Sequence, residues 1–337
     1  MKLGIGIVGS GAIAKVHAAC IEAQPNTSIS GILTRNPTNA ASLAAEYNTE
    51  VYTNYREFYK QKKLHGVCIC NESGLHGESI SKAIHAKKHI LCEKPLETTI
   101  PKIEAILVQH KMYSLKLGVV FQNRMNPEYK KFKQCIDSGQ LGDILLVNTQ
   151  INWYRDAMYY KSNPWRGSMA LDRGAALINQ GIHTLDLLLD LIGEVKSLGA
   201  KIDTKVHEIE GEDLVVAHLT FKNGVLGTLS AGTCLYPGYP ESIYVYGTKG
   251  SITYEGGFIR SCSLPNWKQK EIQNKSQGSQ TAKLDNTELH QAVFNDFVNA
   301  ILNDTQPLVG IEEARKSVAL IQAIYKASDT EEIIKLE

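Results

Sequence analysis

The stretch Met1–Ala18, MKLGIGIVGSGAIAKVHA, contains two overlapping glycine patterns, and the choice between them decides the fold of the first part of the chain. Gly4–Gly9 matches G-x-G-x-x-G, and Gly9–Ala14 matches the variant G-x-G-x-x-A. The first match lies inside the apolar run Leu3–Val8, which is needed as a strand, so its glycines are predicted to allow close backbone packing. The second match begins where that strand ends and continues into a helix predicted over Ala12–Ala23, which is the context that a phosphate-binding turn requires.

Each small residue of the second match has a distinct predicted role. Gly9 makes the tight turn, Gly11 lets a pyrophosphate approach the backbone, and Ala14 allows close packing of helix on strand. The amino terminus of the helix offers unpaired N–H groups to the anion. A plain strand-to-helix turn is the alternative. The predicted dinucleotide-binding turn consists of Gly9, Ser10, Gly11, Ala12 and Ile13.

The end of the second predicted strand, which reads ILTRN, bears on the choice of dinucleotide. A carboxylate there would bind the ribose 2′-hydroxyl of NAD, but the positions hold Thr34 and Arg35. A guanidinium can pair with a 2′-phosphate and stack on adenine. The sequence therefore favours NADP(H) over NAD(H). An ordinary solvated arginine is the alternative interpretation.

The periodicity of the chain predicts an α/β part followed by an α+β part. Short apolar strands alternate with helices over residues 1–122, which is typical of a Rossmann parallel sheet covered on both faces. Residues 123–337 carry longer alternating runs separated by turn pairs such as Asn223-Gly224 and Lys249-Gly250, which predict a large open antiparallel sheet. Helices are predicted over 175–191, 289–302 and 312–326, and the polar stretch 274–286 is predicted to be a loop.

Composition excludes several classes of function. The chain has 337 residues with 36 basic and 35 acidic side chains, so a long basic face for nucleic acid is not supported. Its seven cysteines form no C-x-x-C pair, which argues against a disulfide framework or a metal site and for buried thiols of a reduced compartment. No apolar run approaches the roughly 18 residues that span a bilayer, and the first residues do not resemble a secretory signal. We therefore expect a cytoplasmic protein without membrane partners.

The stretch CEKPL places Glu93 and Lys94 at the end of a predicted strand. Ligands of open α/β sheets bind beyond the carboxyl ends of strands, so both side chains are positioned for chemistry. A lysine beside a nicotinamide can exchange the proton of a carbonyl/alcohol pair. Pro95 permits a cis bond after Lys94. The alternative is a solvated charge at a strand end.

Asn179, His183 and Asp186 have the spacing i, i+4, i+7 within the predicted helix 175–191. This spacing places the three polar side chains on one face of an otherwise apolar helix. They predict either a satisfied structural network or a site in which His183 moves a proton or binds a substrate hydroxyl.

Aromatic and guanidinium groups are combined in NWYRDAMYYKSNPWRG, which contains Tyr154, Arg155, Trp165 and Arg166. Stacking and forked hydrogen bonds are suited to sugars, and arginines to acidic sugars or phosphates. Packing in the core or at its rim is the alternative for each of these residues.

These segments together, with NESGLH and VVFQNRMNP, resemble the Gfo/Idh/MocA oxidoreductases, the glucose–fructose oxidoreductase and inositol dehydrogenase family. The resemblance implies hydride transfer at a ring hydroxyl or carbonyl of a sugar, sugar derivative or cyclitol, with Lys94 and His183 from separate domains acting on it. It also implies a homodimer or homotetramer formed through the second sheet. By the same resemblance, further cofactor contacts are assigned to Asn71, Ser73, His76, Glu93, Lys94 and Gln122, the substrate contacts to Tyr154, Arg155, Trp165, Asn179 and His183, and Arg124 to the domain junction.

Two positions depart from the family pattern. Cyclitol-oxidising members usually have aspartate where this chain has Asn179, and an amide cannot take a proton, so Asn179 is expected to bind a hydroxyl instead. Asn71-Glu72-Ser73 replaces a frequent Thr-Pro. The family also includes a non-catalytic regulator and reductases of dihydrodiols and other carbonyl compounds, and these remain the alternatives.

Overall fold

The structure is a computed structural model that describes residues 2–163, 165–265, 267 and 287–336. The polar stretch 274–286, predicted to be a loop, lies outside the described residues. The chain divides into two compact units, Met1–Gln122 with Lys283–Arg315 and Asn123–Ala282 with Lys316–Glu337.

The strands of the described residues, in chain order, are β1 (Leu3–Val8), β2 (Thr27–Leu33), β3 (Val51–Tyr52), β4 (Leu64–Ile69), β5 (His89–Cys92), β6 (Leu117–Val119), β7 (Ile144–Asn152), β8 (Val195–Asp203), β9 (Leu214–Phe221), β10 (Leu226–Gly232), β11 (Ser242–Gly247), β12 (Ser251–Glu255), β13 (Phe258–Cys262) and β14 (Ile334–Lys335). The α-helices are α1 (Ala12–Ala23), α2 (Pro37–Glu46), α3 (Tyr55–Tyr59), α4 (His76–His85), α5 (Ile100–His110), α6 (Pro127–Asp137), α7 (Ala157–Lys161), α8 (Ile182–Ile192), α9 (Glu288–Leu302) and α10 (Ile311–Thr330). Short 3₁₀ turns cover Ser73–Leu75 and Gln122–Met125, and a π-helix covers Ala176–Gly181.

The first unit contains a parallel six-stranded sheet in the order β3-β2-β1-β4-β5-β6. Its central strand β1 is buried at nearly every position, with Ile5 and Ile7 fully inaccessible, because helices cover both faces. The strand order reverses at β1, between β2 and β4, and in such sheets the crevice beyond the carboxyl ends at this point is the ligand site. The predicted Rossmann sheet is therefore confirmed.

The segment Lys283–Arg315 belongs to the first unit, whereas the sequence predicted a continuous second domain over 123–337. Helix α9 packs on α1, and Gln291 donates to the Cys20 carbonyl at 3.2 Å. Farther along the segment, the Val309 carbonyl accepts from the Val119 N–H at 2.9 Å, which supports the edge strand β6. An apolar stripe in the sequence shows that a helix needs a partner but does not show which unit supplies it.

The second unit contains an eight-stranded sheet in the order β13-β12-β11-β7-β10-β9-β8-β14. All its pairs are antiparallel except β7 with β10, so the sheet is mixed. The two predicted turns are present: Gly224 has φ +90° between β9 and β10, and the Gly247 N–H bonds the Gly250 carbonyl between β11 and β12. Strand β8, which the sequence analysis did not identify, lies between β9 and the short edge strand β14.

The helix predicted over 175–191 is divided in two, with the π-helix Ala176–Gly181 preceding α8. Glu212 holds the start of the π-helix, because its carboxylate accepts from the N–H groups of Ala175 at 3.1 Å and Leu177 at 2.8 Å. The same carboxylate accepts from the Tyr325 hydroxyl at 3.0 Å. Burial raises the pKa of Glu212, and these donors compensate part of the cost of its charge.

Candidate active site

The two glycine patterns occupy different environments, as the sequence analysis predicted. A Cβ at Gly4 would lie 1.9 Å from the Lys63 carbonyl oxygen, and one at Gly6 would lie 2.4 Å from the Phe58 ring. These glycines are therefore packing positions within β1. The pattern that begins at Gly9 is left as the candidate for ligand binding.

The turn at Gly9 fits the phosphates of a dinucleotide. Gly9 has φ +116°, and a Cβ there would lie 2.7 Å from the Cys70 carbonyl oxygen, so the turn requires glycine. Gly11, the N-cap of α1, would place a Cβ in open space with no atom within 4 Å. No side chain of the described residues caps this helix end, so its first N–H groups are available to an anion. Ala14 is fully buried, which permits the close helix packing that the turn needs.

The end of β2 lies beside this turn. The hydroxyls of Ser10 and Thr34 lie 2.9 Å apart. The Arg35 guanidinium is 75% exposed and forms an ion pair with Glu72, which follows β4. The end of β2 itself carries no carboxylate, as the sequence shows, but the fold brings Glu72 beside Arg35 from a distant strand end.

His76 connects the loops that follow β4 and β5. Its Nδ1 lies 2.6 Å from the Pro95 carbonyl oxygen, and its Nε2 lies 3.0 Å from that of Asn71. Burial lowers the pKa of His76, although both carbonyls favour the charged ring. The Asn71 amide donates to Ser79 at 3.1 Å, and Ser73 is buried in the 3₁₀ turn. His76 therefore acts on these loops as a positioning residue. The predicted cofactor contacts of Asn71, Ser73, His76 and Gln122 stay predictions.

Lys94 follows β5 in a cluster of charged and titratable groups, and its bond to Pro95 is cis. Glu93 is buried, with Oε1 2.9 Å from Nε2 of His17 on α1. Burial by itself raises the pKa of Glu93, but the hydrogen bond and charge of His17, with the charges of His290 and Lys94, lower it to about 2. Lys94 therefore lies beside an ionised carboxylate.

His290 on α9 is a member of this cluster that the sequence analysis missed. Its ring meets that of His17 edge to face, with centroids 6.4 Å apart. Burial lowers the pKa of His290, and Lys94 lowers it further. A histidine within an apolar helix is a weak signal by itself, and only the packing of α9 on α1 brings it to the end of β5.

The three polar residues Asn179, His183 and Asp186 do not form one cluster with each other, because Asn179 and Asp186 each bond a different partner in the second unit. Asp186 receives a forked pair of hydrogen bonds from Arg124, each 2.8 Å long. Asn179, in the π-helix, donates to Asp172 at 2.8 Å. Asp186 is therefore a structural partner, as the alternative interpretation held. His183 lies in the first turn of α8.

The predicted sugar-binding segment forms a stack of cations and rings. The buried Arg155 guanidinium lies 5.1 Å from the Trp153 ring centroid and 5.5 Å from that of Tyr159. Arg166 lies 4.2 Å from the Tyr159 centroid and donates to its carbonyl at 2.9 Å. Tyr154 meets the Tyr236 ring edge to face, and Trp165 is half-buried in the loop that precedes the π-helix.

The fold and the Gly9 turn define a dinucleotide-binding oxidoreductase with a second unit built on a mixed sheet. The model of the oxidoreductase family with an NAD-binding Rossmann fold matches residues 3–121, and the GFO/IDH/MocA C-terminal domain matches residues 129–253. The chain belongs to the Gfo/Idh/MocA family of oxidoreductases, and its cofactor is a nicotinamide dinucleotide.

Similar proteins include several dehydrogenases. The WlbA dehydrogenase of Bordetella pertussis, solved in complex with NADH and UDP-GlcNAcA, is 27% identical with a TM-score of 0.88, and the match covers 100% of this chain and 99% of that one. The myo-inositol 2-dehydrogenase of Thermotoga maritima is 22% identical over 99% of this chain and 98% of its own. The NADP⁺-dependent D-xylose 1-dehydrogenase of Haloarcula marismortui is 25% identical over 88% and 83%, respectively.

The described residues contain neither a metal-binding cluster nor a membrane-spanning helix. Within them, no cluster of three or more histidine, cysteine, aspartate or glutamate side chains has the arrangement of a metal site. Across the same part of the chain, no helix is both long and apolar enough to cross a bilayer.

Proposed function

We propose that this protein is an NAD(P)-dependent dehydrogenase or reductase that acts on a ring hydroxyl or carbonyl of a sugar, sugar derivative or cyclitol. The observation that carries the proposal is the open space over Gly11 at the bare amino terminus of α1, within the same unit as Lys94 at the carboxyl end of β5. When bound, the nicotinamide ring takes or gives the hydride. Residues 1–122 with 283–315 would hold the cofactor, and the second unit would bind the substrate.

Lys94 and His183 are the proposed catalytic residues. The Lys94 Nζ would accept the hydroxyl proton as the alcohol is oxidised and return it in the reverse direction. The Glu93 carboxylate lies close enough to interact with the Lys94 charge, so it would offset the charge of the amine once the proton has been accepted. His183 would hydrogen-bond the reacting oxygen, and Tyr154, Arg155, Trp165 and Asn179 would bind the remaining groups of the sugar.

NADP(H) is the proposed cofactor, with NAD(H) as the alternative. The exposed Arg35 at the end of β2 supports this choice, because a guanidinium can bind a 2′-phosphate by forked hydrogen bonds. Glu72 opposes it by holding the same guanidinium. Competition between Glu72 and the 2′-phosphate for the Arg35 guanidinium would set the preference for NADP(H) or NAD(H).

Assembly through the second sheet is also proposed, and the cytoplasmic location stays a prediction. The outward positions of β9 and β10 carry no lysine, arginine, aspartate or glutamate, and Val216 and Leu226 are each 57% exposed, although Lys201 of β8 lies opposite Val216. A partly apolar face with few charges is suited to a homodimer or homotetramer. Light scattering after size exclusion should give two or four times the 37.2 kDa chain mass, and a monomer at micromolar concentration would contradict the proposal.

The proposed function is tested first by titrating the protein with NADPH and NADH and following nicotinamide fluorescence. Sugars, cyclitols and nucleotide sugars are then screened with both oxidised cofactors at the nicotinamide absorbance band. Lys94→Ala should lower kcat at least about 1,000-fold and leave cofactor Kd unchanged. Lys111→Ala, at the exposed end of α5, is the matched control. Binding of neither cofactor would refute the proposal, whereas cofactor binding without turnover would favour a sensing role.

A further inference from the structure

We propose that Arg155 and Arg166 form an anion subsite, so that the substrate is a sugar bearing a carboxylate or a phosphate and not a neutral sugar. This inference rests on the proposed function, because only that function makes the bound anion the substrate of the enzyme. The anion subsite consists of the two guanidiniums and the Tyr159 ring that both of them contact.

The acidic partners that would neutralise the two guanidiniums are missing from the part of the chain that the structure describes. Among the residues that the structure describes, no carboxylate lies within ion-pair distance of either one. The Asp156 carboxylate, next to Arg155 in the chain, accepts from the Tyr159 N–H at 2.9 Å and caps α7. Two positive charges therefore share one aromatic ring without neutralisation.

Arg155 is the stronger evidence, because it is only 5% exposed. Its Nη1 donates to the Tyr154 carbonyl at 2.9 Å, but its buried Nε has no acceptor within the described residues. Burial lowers the pKa of Arg155, and the charge of Arg166 adds to this effect. Stacking on Trp153 and Tyr159 stabilises a cation but does not neutralise it. A buried, unneutralised charge is costly unless a ligand supplies the counter-charge.

The position of this pair agrees with a substrate site. Tyr159 lies close enough to Asp172 for the carboxylate to raise the pKa of the Tyr159 hydroxyl, although burial is the larger cause of that rise. Asp172 in turn receives the hydrogen bond from Asn179. The anion subsite thus lies next to the residues proposed to hold the sugar hydroxyls, all within the second unit.

The chemistry of the pair selects the ligand. Guanidiniums match the planar oxygens of a carboxylate or the oxygens of a phosphate, and charge-assisted hydrogen bonds to them are stronger than neutral ones. A neutral polyol would leave both charges without a partner. A uronic acid and a sugar phosphate are the two kinds of sugar that carry such an anionic group.

Calorimetry on the NADPH-loaded protein tests the proposal with matched sets of neutral hexose, hexuronate and hexose 6-phosphate in the gluco, galacto and manno series. At least one anionic sugar should bind 10-fold or more tighter than its neutral counterpart. Arg166→Gln and Arg155→Gln should each weaken that binding about 10- to 100-fold, as expected for the loss of a charge-assisted hydrogen bond. Arg155→Lys keeps the charge and should retain part of the affinity, which controls for packing.

Arg56→Gln is the matched control, because Arg56 is an exposed arginine whose guanidinium lies 5.9 Å from the Tyr55 ring centroid. It should leave anionic-sugar affinity unchanged. Equal binding within every set, no binding of any anionic sugar, or unchanged affinity in both glutamine variants would each overturn the proposal. Preference for the hexuronate or the phosphate identifies the source of the anion. The same titrations are repeated on the cofactor-free protein, where sugar binding is measured independently of cofactor binding. An anionic sugar that binds there shows that the subsite is intact even if the protein does not bind NADPH.

Discussion

The side-chain amide of Asn179 donates to Oδ2 of Asp172 over 2.8 Å, and Asp172 is completely buried. The same oxygen accepts from the Gly167 N–H at 3.0 Å. In this contact the amide nitrogen of Asn179 is the donor and the carboxyl oxygen of Asp172 is the acceptor. Asn179 therefore turns its nitrogen to Asp172, so its oxygen is the end with which it would accept a hydrogen bond from a substrate hydroxyl.

Asp172→Asn should raise the KM for the sugar about 10-fold, because an amide at position 172 can present either end to Asn179 and the fixed orientation is lost. The Kd for NADPH should not change. Steady-state kinetics and cofactor titration check the two expectations. Asp156→Asn alters an exposed cap of α7 and serves as the control. An unchanged KM would show that Asp172 only stabilises its loop.

Gly11→Ala should impair cofactor binding, whereas Gly9→Ala should impair stability. Gly11 has φ −77° and open space around its Cβ position, so alanine should leave Tm unchanged yet weaken NADPH binding at least about 10-fold by occupying the space needed by the phosphates. Gly9 has φ +116° and a crowded Cβ position, so alanine there should lower the free energy of unfolding by 1 kcal/mol or more, an order-of-magnitude expectation for strain at positive φ. Fluorescence titration and thermal melting distinguish them. Full cofactor affinity in Gly11→Ala would contradict the proposed phosphate site.

Arg35→Gln should weaken NADPH binding about 10-fold and leave NADH binding nearly unchanged, because only NADPH carries the phosphate that the guanidinium would bind. Glu72→Gln should act in the opposite direction by releasing Arg35 from its ion pair. Parallel titrations with both cofactors measure the ratio. Equal changes for NADPH and NADH would locate cofactor selection elsewhere.

Acid stability should depend on Glu93. Its pKa is about 2 in the folded protein against an ordinary value of 4.5, so the unfolded chain binds the proton more readily. The stabilisation is fully present above about pH 4.5 and is lost as the pH falls towards 2. Urea unfolding between pH 3 and 6 should therefore show a smaller fall in the free energy of unfolding for Glu93→Gln than for the unaltered protein. Glu46→Gln, an exposed change on α2, should keep the original slope.

The sequence predicted the parts of the fold that depend on local pattern. The strand Leu3–Val8, the turn at Gly9 and the helix Ala12–Ala23 follow from apolar runs and glycine geometry, and the structure has the same bounds. The break at Gly181 does not follow from pattern, because the spacing of Asn179 and His183 is the same whether or not a π-turn precedes α8. The carboxylate that holds the start of the π-helix belongs to Glu212, which is distant in sequence.

Contacts between distant segments account for the remaining differences. The sequence identifies Arg35 as a cofactor-binding residue but does not predict its ion pair with Glu72. That pair forms because the fold brings the segment after β4 beside the end of β2. His290 joins His17 and Glu93 only because the segment 283–315 folds back onto the first unit. Such pairings are set by tertiary packing. In a single sequence, an apolar helix face shows that the helix packs on something but does not show on what.

Because residues 283–315 belong to the first unit, this unit cannot complete its folding until late in synthesis. Phe294 and Phe297 of α9 are fully buried, and Arg315 donates to Glu104 at 2.6 Å. A nascent chain that has released only its first 122 residues would expose the surfaces of α1 and α5 that α9 and Arg315 contact. The nucleotide-binding half can therefore mature only after the intervening sheet has emerged from the ribosome, so chaperone dependence and protease sensitivity during translation should be greatest in the half that is synthesised first.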